Sequence, residues 1–315
     1  MLTGGSDSTS MLSGGGRSIV PPLTDEPNPH APQRGVHLYH FAGSLCSQKV
    51  RQVLEEKGVR WTSHQILLPA YEQYDPSYVR INPRCVVPTL VREGRVTTDS
   101  QNILLYVQRE FHDGPSVVPD DPGHAESMRT FLDRADGLFI EALTYADVPG
   151  HQRPWMFRRL SRGAHAKKLE LLDAKIREHA EDSVLREAYE KKRALVRSVG
   201  ATVVSPARMV EIFEATRETI GELERQISEG PAKGGGWLCS ETFSLADMAW
   251  GVVLFRFQTL RLDEPLWGDR PSVARYAQRL FARPAFGRAV VDWDKPLSKI
   301  VVPLMRKRIR SLLGA

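Results

Sequence analysis

Between residues 36 and 110 the apolar residues switch repeatedly between alternation and helical spacing, and the order of the switches leaves few folds open. It reads as strand 36–41, helix 44–57, strand 61–68, helix about 72–81, strands 88–92 and 95–98, then helix 99–110. Gly58 and Gly94 serve as breakers. The first strand-to-helix junction carries Gly43-Ser44-Leu45-Cys46-Ser47-Gln48-Lys49-Val50-Arg51. Ser44 reads as the helix N-cap, which puts Cys46 in the first turn, where unpaired backbone N–H groups and the positive end of the macrodipole favour a thiolate over a thiol. Cysteines at helix N-termini are accordingly the nucleophilic ones. A free cysteine is also a good small residue for packing a helix on a sheet, so the chemical reading of Cys46 depends on a second signal elsewhere in the chain.

That signal lies about forty residues on. Asn82-Pro83-Arg84-Cys85-Val86-Val87-Pro88-Thr89-Leu90 leads into the third strand, and Thr98-Asp99-Ser100 opens a helix after a Glu93-Gly94 turn. The whole order is that of a thioredoxin-like α/β half-domain. In that fold a proline entering the third strand is commonly cis, and Val87-Pro88 stands in its place. A cis X–Pro bond is unusual enough to serve a purpose; here it leaves the carbonyl and N–H of Val87 open to an extended peptide. Asp99 and Ser100 begin the next helix, so their side chains and backbone donors converge as a nest for a carboxylate.

On these residues the chain resembles the glutathione transferases, over nearly everything from about residue 36 to 293. It is most similar to the zeta-type enzymes, whose Ser-Ser-Cys-Ser-x-Arg-Val-Arg resembles Ser44-Leu45-Cys46-Ser47-Gln48-Lys49-Val50-Arg51. More similar still is the bacterial tetrachlorohydroquinone reductive dehalogenase group, with its Ser-Ile-Cys-Ser-x-Lys form. The resemblance implies an α/β thioredoxin-like N-terminal domain followed by an all-α C-terminal domain. It implies that Ser44 donates a hydrogen bond to the glutathione sulfur and holds it as thiolate. It further implies that the Val87 backbone, ahead of Pro88, pairs with the cysteinyl unit, and that Asp99 and Ser100 hold the γ-glutamyl end. Many transferases carry Glu or Gln where Asp99 stands, which makes Ser100 the firmer of the two assignments. Cys46 is implied to attack the sulfur of a glutathionyl aromatic, releasing reduced product and leaving a mixed disulfide that a second glutathione clears. Lys49 stands three after Cys46, so this is no Cys-x-x-Cys site, and Cys85 and Cys239 read as structural.

Residues 1–34 are rich in Gly, Ser and Pro without apolar periodicity and read as a disordered extension, ahead of a glutathione-binding domain at 35–113. Residues 114–123, with Pro115, Pro119 and Pro122, read as a linker to an all-helical domain at 124–293. Its first helix, about 124–146, carries Met128, Phe131, Leu132, Ala135, Leu138 and Phe139 at helical spacing. An enlarged insertion, about 150–205, alternates basic and acidic residues such as Lys167, Glu170, Asp173 and Lys175, the pattern of solvated helices. The dehalogenase-like members are implied to carry a comparable insertion. At its start Arg153, Trp155, Arg158 and Arg159 are candidates for contact with an anionic or aromatic substrate. Ser244 and Asp247 form a capping-box pair ahead of a helix whose Trp250, Leu254 and Phe257 read as core. The tail 294–315 is basic and amphipathic; Pro303 divides it and its apolar content is modest, so a tail folded over the second domain, or frayed, is a better reading than membrane attachment.

Composition narrows the class. No apolar run is long enough to span a bilayer, and three cysteines without regular spacing argue for a reducing, cytoplasmic setting, where glutathione is plentiful. The nine histidines are scattered singly, so no metal is expected. The net charge of +5 arises from bases interleaved with acids, with no nucleic-acid module. The leading expectation is a glutathione-dependent transferase acting on a small electrophilic, halogenated aromatic, with reductive dehalogenation through a Cys46–glutathione mixed disulfide. The alternatives are zeta-like cis–trans isomerisation of a maleylacetoacetate-type compound, in which glutathione is not consumed, and a non-catalytic transferase-fold binding or adaptor protein. The intact set of Ser44, Cys46, Pro88 and Ser100 favours an enzyme. The partners implied by the resemblance are glutathione, a small hydrophobic electrophile and a second copy of the chain in a homodimer.

Overall fold

A computed structural model describes residues 26–149, 151–152 and 155–293, with 155–162 in their backbone only. The expectations for the extension up to residue 25, for Arg153, for the side chains of Trp155, Arg158 and Arg159, and for the tail from 294 lie outside what the structure describes. The described residues of 26–116, 163–198 and 279–293 form one compact unit, and those of 117–162 and 199–278 form another.

The first unit is built on a four-stranded sheet, β1 (Val36–His40), β2 (Thr62–Gln65), β3 (Thr89–Arg92) and β4 (Arg95–Thr98), in the order β2-β1-β3-β4. β1 and β2 are parallel, joined through helix α1 (Leu45–Glu56), while β3 runs antiparallel to both its neighbours. Along β1 the pleat sends Leu38 and His40 to the fully buried side and leaves His37 and Tyr39 half-buried on the other. α1 covers the buried side with Val50, Val53 and Leu54, each contributing roughly 1.5–3 kcal/mol of burial. It stops at Lys57, where Gly58 takes a left-handed backbone (φ +65°). Glu93 (φ 51°) and Gly94 (φ 77°) make the two-residue turn between β3 and β4, a turn that needs both positions left-handed. Helix α3 (Ser100–Glu110) then packs Ile103, Leu104 and Val107 into the core.

The strand expected over 61–68 is shorter, Thr62–Gln65, and two helices differ from the sequence expectation. Instead of one helix over 72–81 there are 3₁₀ turns at Leu68–Ala70 and Glu72–Tyr74 and a short helix α2 at Pro76–Val79. Pro76 lacks an N–H and its ring crowds the preceding turn, so helix can begin there but not pass through. Instead of one helix over 124–146 there are α4 (Pro122–Gly137) and α5 (Ile140–Tyr145), with Leu138 extended between them (φ −70°, ψ 129°). Gly137, a poor helix former, stands at the break.

The charged insertion supplies α6 (Trp155–Glu178) and α7 (Ser183–Val203). Outward charges pair along the helix, as in Lys167–Glu170 (3.1 Å) and Lys175–Glu178 (2.9 Å). The inward face is apolar: Leu172, Leu185, Ala188, Tyr189 and Val196 pack against Tyr74, Val79 and Cys85. The Tyr189 hydroxyl donates to the Tyr74 carbonyl at 2.9 Å, and Arg80 pairs with Asp182 at 2.6 Å.

In the second unit, α8 (Pro206–Glu229), α9 (Leu245–Thr259), α10 (Asp263–Trp267) and the start of α11 (Pro271–Phe281) join α4 and α5. The Trp250 indole N–H of α9 donates to the Phe131 carbonyl of α4 at 3.0 Å. Asp247 is fully buried. It accepts from the Ser244 N–H (2.8 Å) and hydroxyl (2.6 Å), the Leu238 N–H (2.9 Å) and the Tyr276 hydroxyl (2.5 Å). Replacing it by Ala strands all of these donors away from water, so Asp247→Ala should cost about 3–5 kcal/mol, read as a lower urea midpoint. A midpoint unchanged from the parent would contradict the assignment.

Candidate functional site

The sheet topology gathers the site. β1 pairs with β3 from Val36–Arg92 to Tyr39–Thr89, and β3 pairs with β4 from Arg92–Arg95 to Thr89–Thr98. The loop leaving β1 toward Ser44, the segment entering β3 at Val87 and the residues after β4 at Asp99 therefore share one end of the sheet. Phe41 and Val87 pack in the same apolar cluster with Leu67 and Tyr78. The Val87–Pro88 peptide is cis, and Val87 lies beyond the last paired residue of β3.

The segment before Pro88 is braced from behind. Asn82, fully buried, donates through Nδ2 to the Val86 carbonyl (2.9 Å) and the Thr89 hydroxyl oxygen (2.8 Å). The Tyr78 hydroxyl donates to the same Val86 carbonyl (2.6 Å) and pairs with Thr89 Oγ1 (2.9 Å). Burial pushes the Tyr78 phenol well above its usual range, so it stays protonated and able to donate.

Ser44 caps α1 with an extended backbone (φ −78°, ψ 121°), its Oγ accepting from the Ser47 N–H at 3.4 Å. That contact uses an oxygen lone pair and leaves the hydroxyl hydrogen available as a donor. Cys46 is free and half-buried in the first turn. Cys85 and Cys239 are buried, and burial pushes both thiols up to about 12.

Behind this turn sits Arg51, with no exposed surface. Its Nη1 donates to His40 Nδ1 (3.1 Å) and the Phe41 carbonyl (3.3 Å), its Nη2 to the Ala42 carbonyl (2.9 Å) and its Nε to the Ala289 carbonyl (2.7 Å). Accepting at Nδ1 makes His40 the Nε2–H tautomer, and Nε2 lies 2.8 Å from Ser63 Oγ. Burial first, then the Arg51 and His64 charges, push His40 from 6.5 down to about 3.

Asp99 is the N-cap of α3, its Oδ1 accepting from the Gln101 N–H at 3.1 Å. Its backbone is left-handed in φ (72°) with ψ 128°, a strained state costing roughly 1–3 kcal/mol, of the kind that marks ligand clamps. Arg84 reaches its Oδ2 at 3.5 Å from an exposed position. Ser100 is buried at the first helical position, where backbone N–H groups have no helical partner. The structure thus brings Ser44, Cys46, Val87, Pro88, Asp99 and Ser100 to one sheet end.

Sequence reasoning does not assign Arg51, His40, Asn82 or Tyr78. A signal for Arg51 is present all the same: a charge set between Val50 and Val53 on the apolar face of α1. Among the described residues no group of three or more His, Cys, Asp or Glu could hold a metal ion, and no helix is long and apolar enough to cross a membrane.

A small mixed sheet with a cis-proline entry to its third strand, and a hydroxyl and a free thiol at the start of its first helix, defines a thioredoxin-like α/β domain. Comparison with known proteins narrows this. The model of the glutathione S-transferase N-terminal domain matches residues 43–110, and that of the glutathione S-transferase C-terminal domain matches 186–279. The chain is 33% identical over 303 residues to 2,5-dichlorohydroquinone reductive dechlorinase of Sphingobium indicum, covering 85% of this chain and 86% of the relative. It is 29% identical over 263 residues to tetrachloro-p-hydroquinone reductive dehalogenase of Sphingobium chlorophenolicum, covering 82% and 97%. Among solved structures, the beta-etherase LigF of a Sphingobium species superposes with a TM-score of 0.60 at 23% identity, over 81% of this chain and 98% of that one. The chain belongs to the glutathione S-transferase family.

His40 gives the site a pH signature. The folded state refuses a proton that the unfolded chain takes below 6.5, so the contribution of His40 is whole above that pH and is lost as pH falls toward about 3. The loss runs at about 1.4 kcal/mol per pH unit. His40→Asn, which cannot titrate, should therefore flatten the fall in urea-unfolding free energy between pH 6.5 and about 4. An acid limb identical to the parent's would show that His40 is not held neutral.

Proposed function

We propose that the protein is a glutathione-dependent transferase that acts on a small halogenated aromatic of the halohydroquinone class and carries it through to reductive loss of halogen. The observation that carries this reading is the pairing of Ser44 and Cys46 in one helical turn beside the cis Val87–Pro88 entry. The site fits glutathione as a co-substrate. The unused hydroxyl hydrogen of Ser44 donates to its sulfur, the Val87 backbone pairs with its cysteinyl unit, and Asp99 with Ser100 takes its γ-glutamyl end. No metal takes part in this reading.

Atoms and electrons balance at each step. The sulfur held at Ser44 bonds to the halogen-bearing carbon and halide leaves with its electron pair. Cys46 then attacks that sulfur as thiolate; an S–S bond forms, the S–C bond breaks, and the pair stays on the ring carbon, which takes a proton. A second glutathione thiolate attacks the mixed disulfide and frees Cys46. Two glutathiones are oxidised to the disulfide, the aromatic is reduced, and one halide and one proton are released. The enzyme works in the cytoplasm as a homodimer, with residues 35–113 as its glutathione-binding domain. The three free cysteines support a reducing setting, and the caps at Ser44 and Asp99 lie within residues 35–113.

With a halogenated hydroquinone as substrate, Cys46→Ser should stall at the glutathione conjugate, cutting reduced product by roughly 100-fold or more. Ser44→Ala should lower kcat/KM by about 100-fold at the conjugation step itself. Chromatography of the products separates the two effects. Undiminished reduced aromatic from Cys46→Ser would remove Cys46 from the mechanism.

A further inference from the structure

We propose that Arg51 is a positioning residue for Ser44 and Cys46, and that through it the opening turn of α1 answers to the C-terminal segment 284–293. The inference rests on the transferase reading for its catalytic consequence, but its geometry stands apart from it. The Phe41 carbonyl accepts from both the Ser44 N–H (3.1 Å) and Arg51 Nη1 (3.3 Å), so one oxygen ties the N-cap backbone to the guanidinium. Nη2 holds the next carbonyl, Ala42, at 2.9 Å. The loop that sets the direction of the Ser44 hydroxyl and the Cys46 thiol is thereby gripped by one planar fork.

The other side of that fork belongs to the C-terminal segment. Nε donates to the Ala289 carbonyl at 2.7 Å, and Cζ lies 5.0 Å from the centre of the Trp293 ring. Trp293 also stands edge-on to His40 (4.8 Å, 79°), the residue that accepts from Nη1. The segment reaches α1 through a helical turn at Pro284–Phe286 and a π-helical turn at Gly287–Val291, and it has anchors of its own. Arg283 grips Glu56 with two bonds (2.9 and 2.8 Å) and Arg288 pairs with Glu55 at 2.8 Å. A change at Trp293 can therefore loosen Arg51 without detaching the segment. Arg51 is needed as arginine: a lysine ammonium cannot reach carbonyls on two segments in one plane. Val87, Asp99 and Ser100 stand on other elements, so peptide binding and thiol alignment are separable.

The test uses the full chain with two variants, Arg51→Lys and Trp293→Leu. Hydrogen exchange of the 42–47 amides should speed up by roughly tenfold in both, with the 89–98 amides of β3 and β4 unchanged. With a halogenated hydroquinone, kcat should fall by roughly tenfold, as misalignment of reacting groups predicts, while the glutathione Kd by calorimetry moves by less than about threefold. The proposal is overturned if the 42–47 amides of Trp293→Leu exchange as in the parent, if exchange rises uniformly across the unit, or if kcat and Kd worsen together. Should Arg51→Lys not fold, Trp293→Leu decides alone. Failure of the parent to bind glutathione would sink the transferase reading, while the exchange result would still judge the coupling.

Discussion

Asn82 donates at once to the Val86 carbonyl and to the Thr89 hydroxyl oxygen, and Tyr78 closes the triangle between the same two groups. This buried network fixes where β3 begins and which backbone atoms of Val87 remain outside the ladder. A hydrogen bond of this kind is worth about 1 kcal/mol net, but an orphaned buried partner costs about 1–3 kcal/mol, so the network is held or lost as a whole. The register from Thr89 to Tyr39 and Thr98 then carries the position to the two flanking loops. The Val87 backbone, the hydroxyl of Ser44 and the cap at Asp99 are thus referred to one end of the sheet.

The opening turn of α1 is held from behind by polarity inside the core. α1 buries Gln48, Lys49, Arg51 and Gln52 along with its aliphatic residues. Arg51 is surrounded by carbonyl oxygens and a neutral imidazole, which solvate its charge where water is excluded. A hydrophobic residue there would pack but could not hold Phe41 and Ala42. The same logic explains Asp247, a buried carboxylate that joins the start of α9 to Leu238 and Tyr276 in the other unit.

Much of this is legible in the sequence where the signal is local. Ser44, Asp99 and the Ser244–Asp247 pair sit as caps, Val87–Pro88 is cis, and Glu93-Gly94 turns a hairpin, because each is set by a few adjacent residues. The breaks at Pro76 and Leu138 are less legible, since an apolar stripe continues through both while the backbone does not. The buried face of α7 is masked by its charges, although Leu185, Ala188 and Tyr189 stand at helical spacing. The most distant partner of Arg51 cannot be read at all. Ala289 is 238 residues away, and no local pattern announces a contact between a helix and a distant carbonyl.

The central claim is that Ser44 holds a peptide thiolate beside the cis-proline entry, and the ultraviolet thiolate band tests it most directly. Mixing glutathione with the parent protein at neutral pH should produce that band, Cys46→Ser should retain it, and Ser44→Ala should lose most of it. A parent protein that develops no band, or a Ser44→Ala variant that develops it in full, would contradict the account.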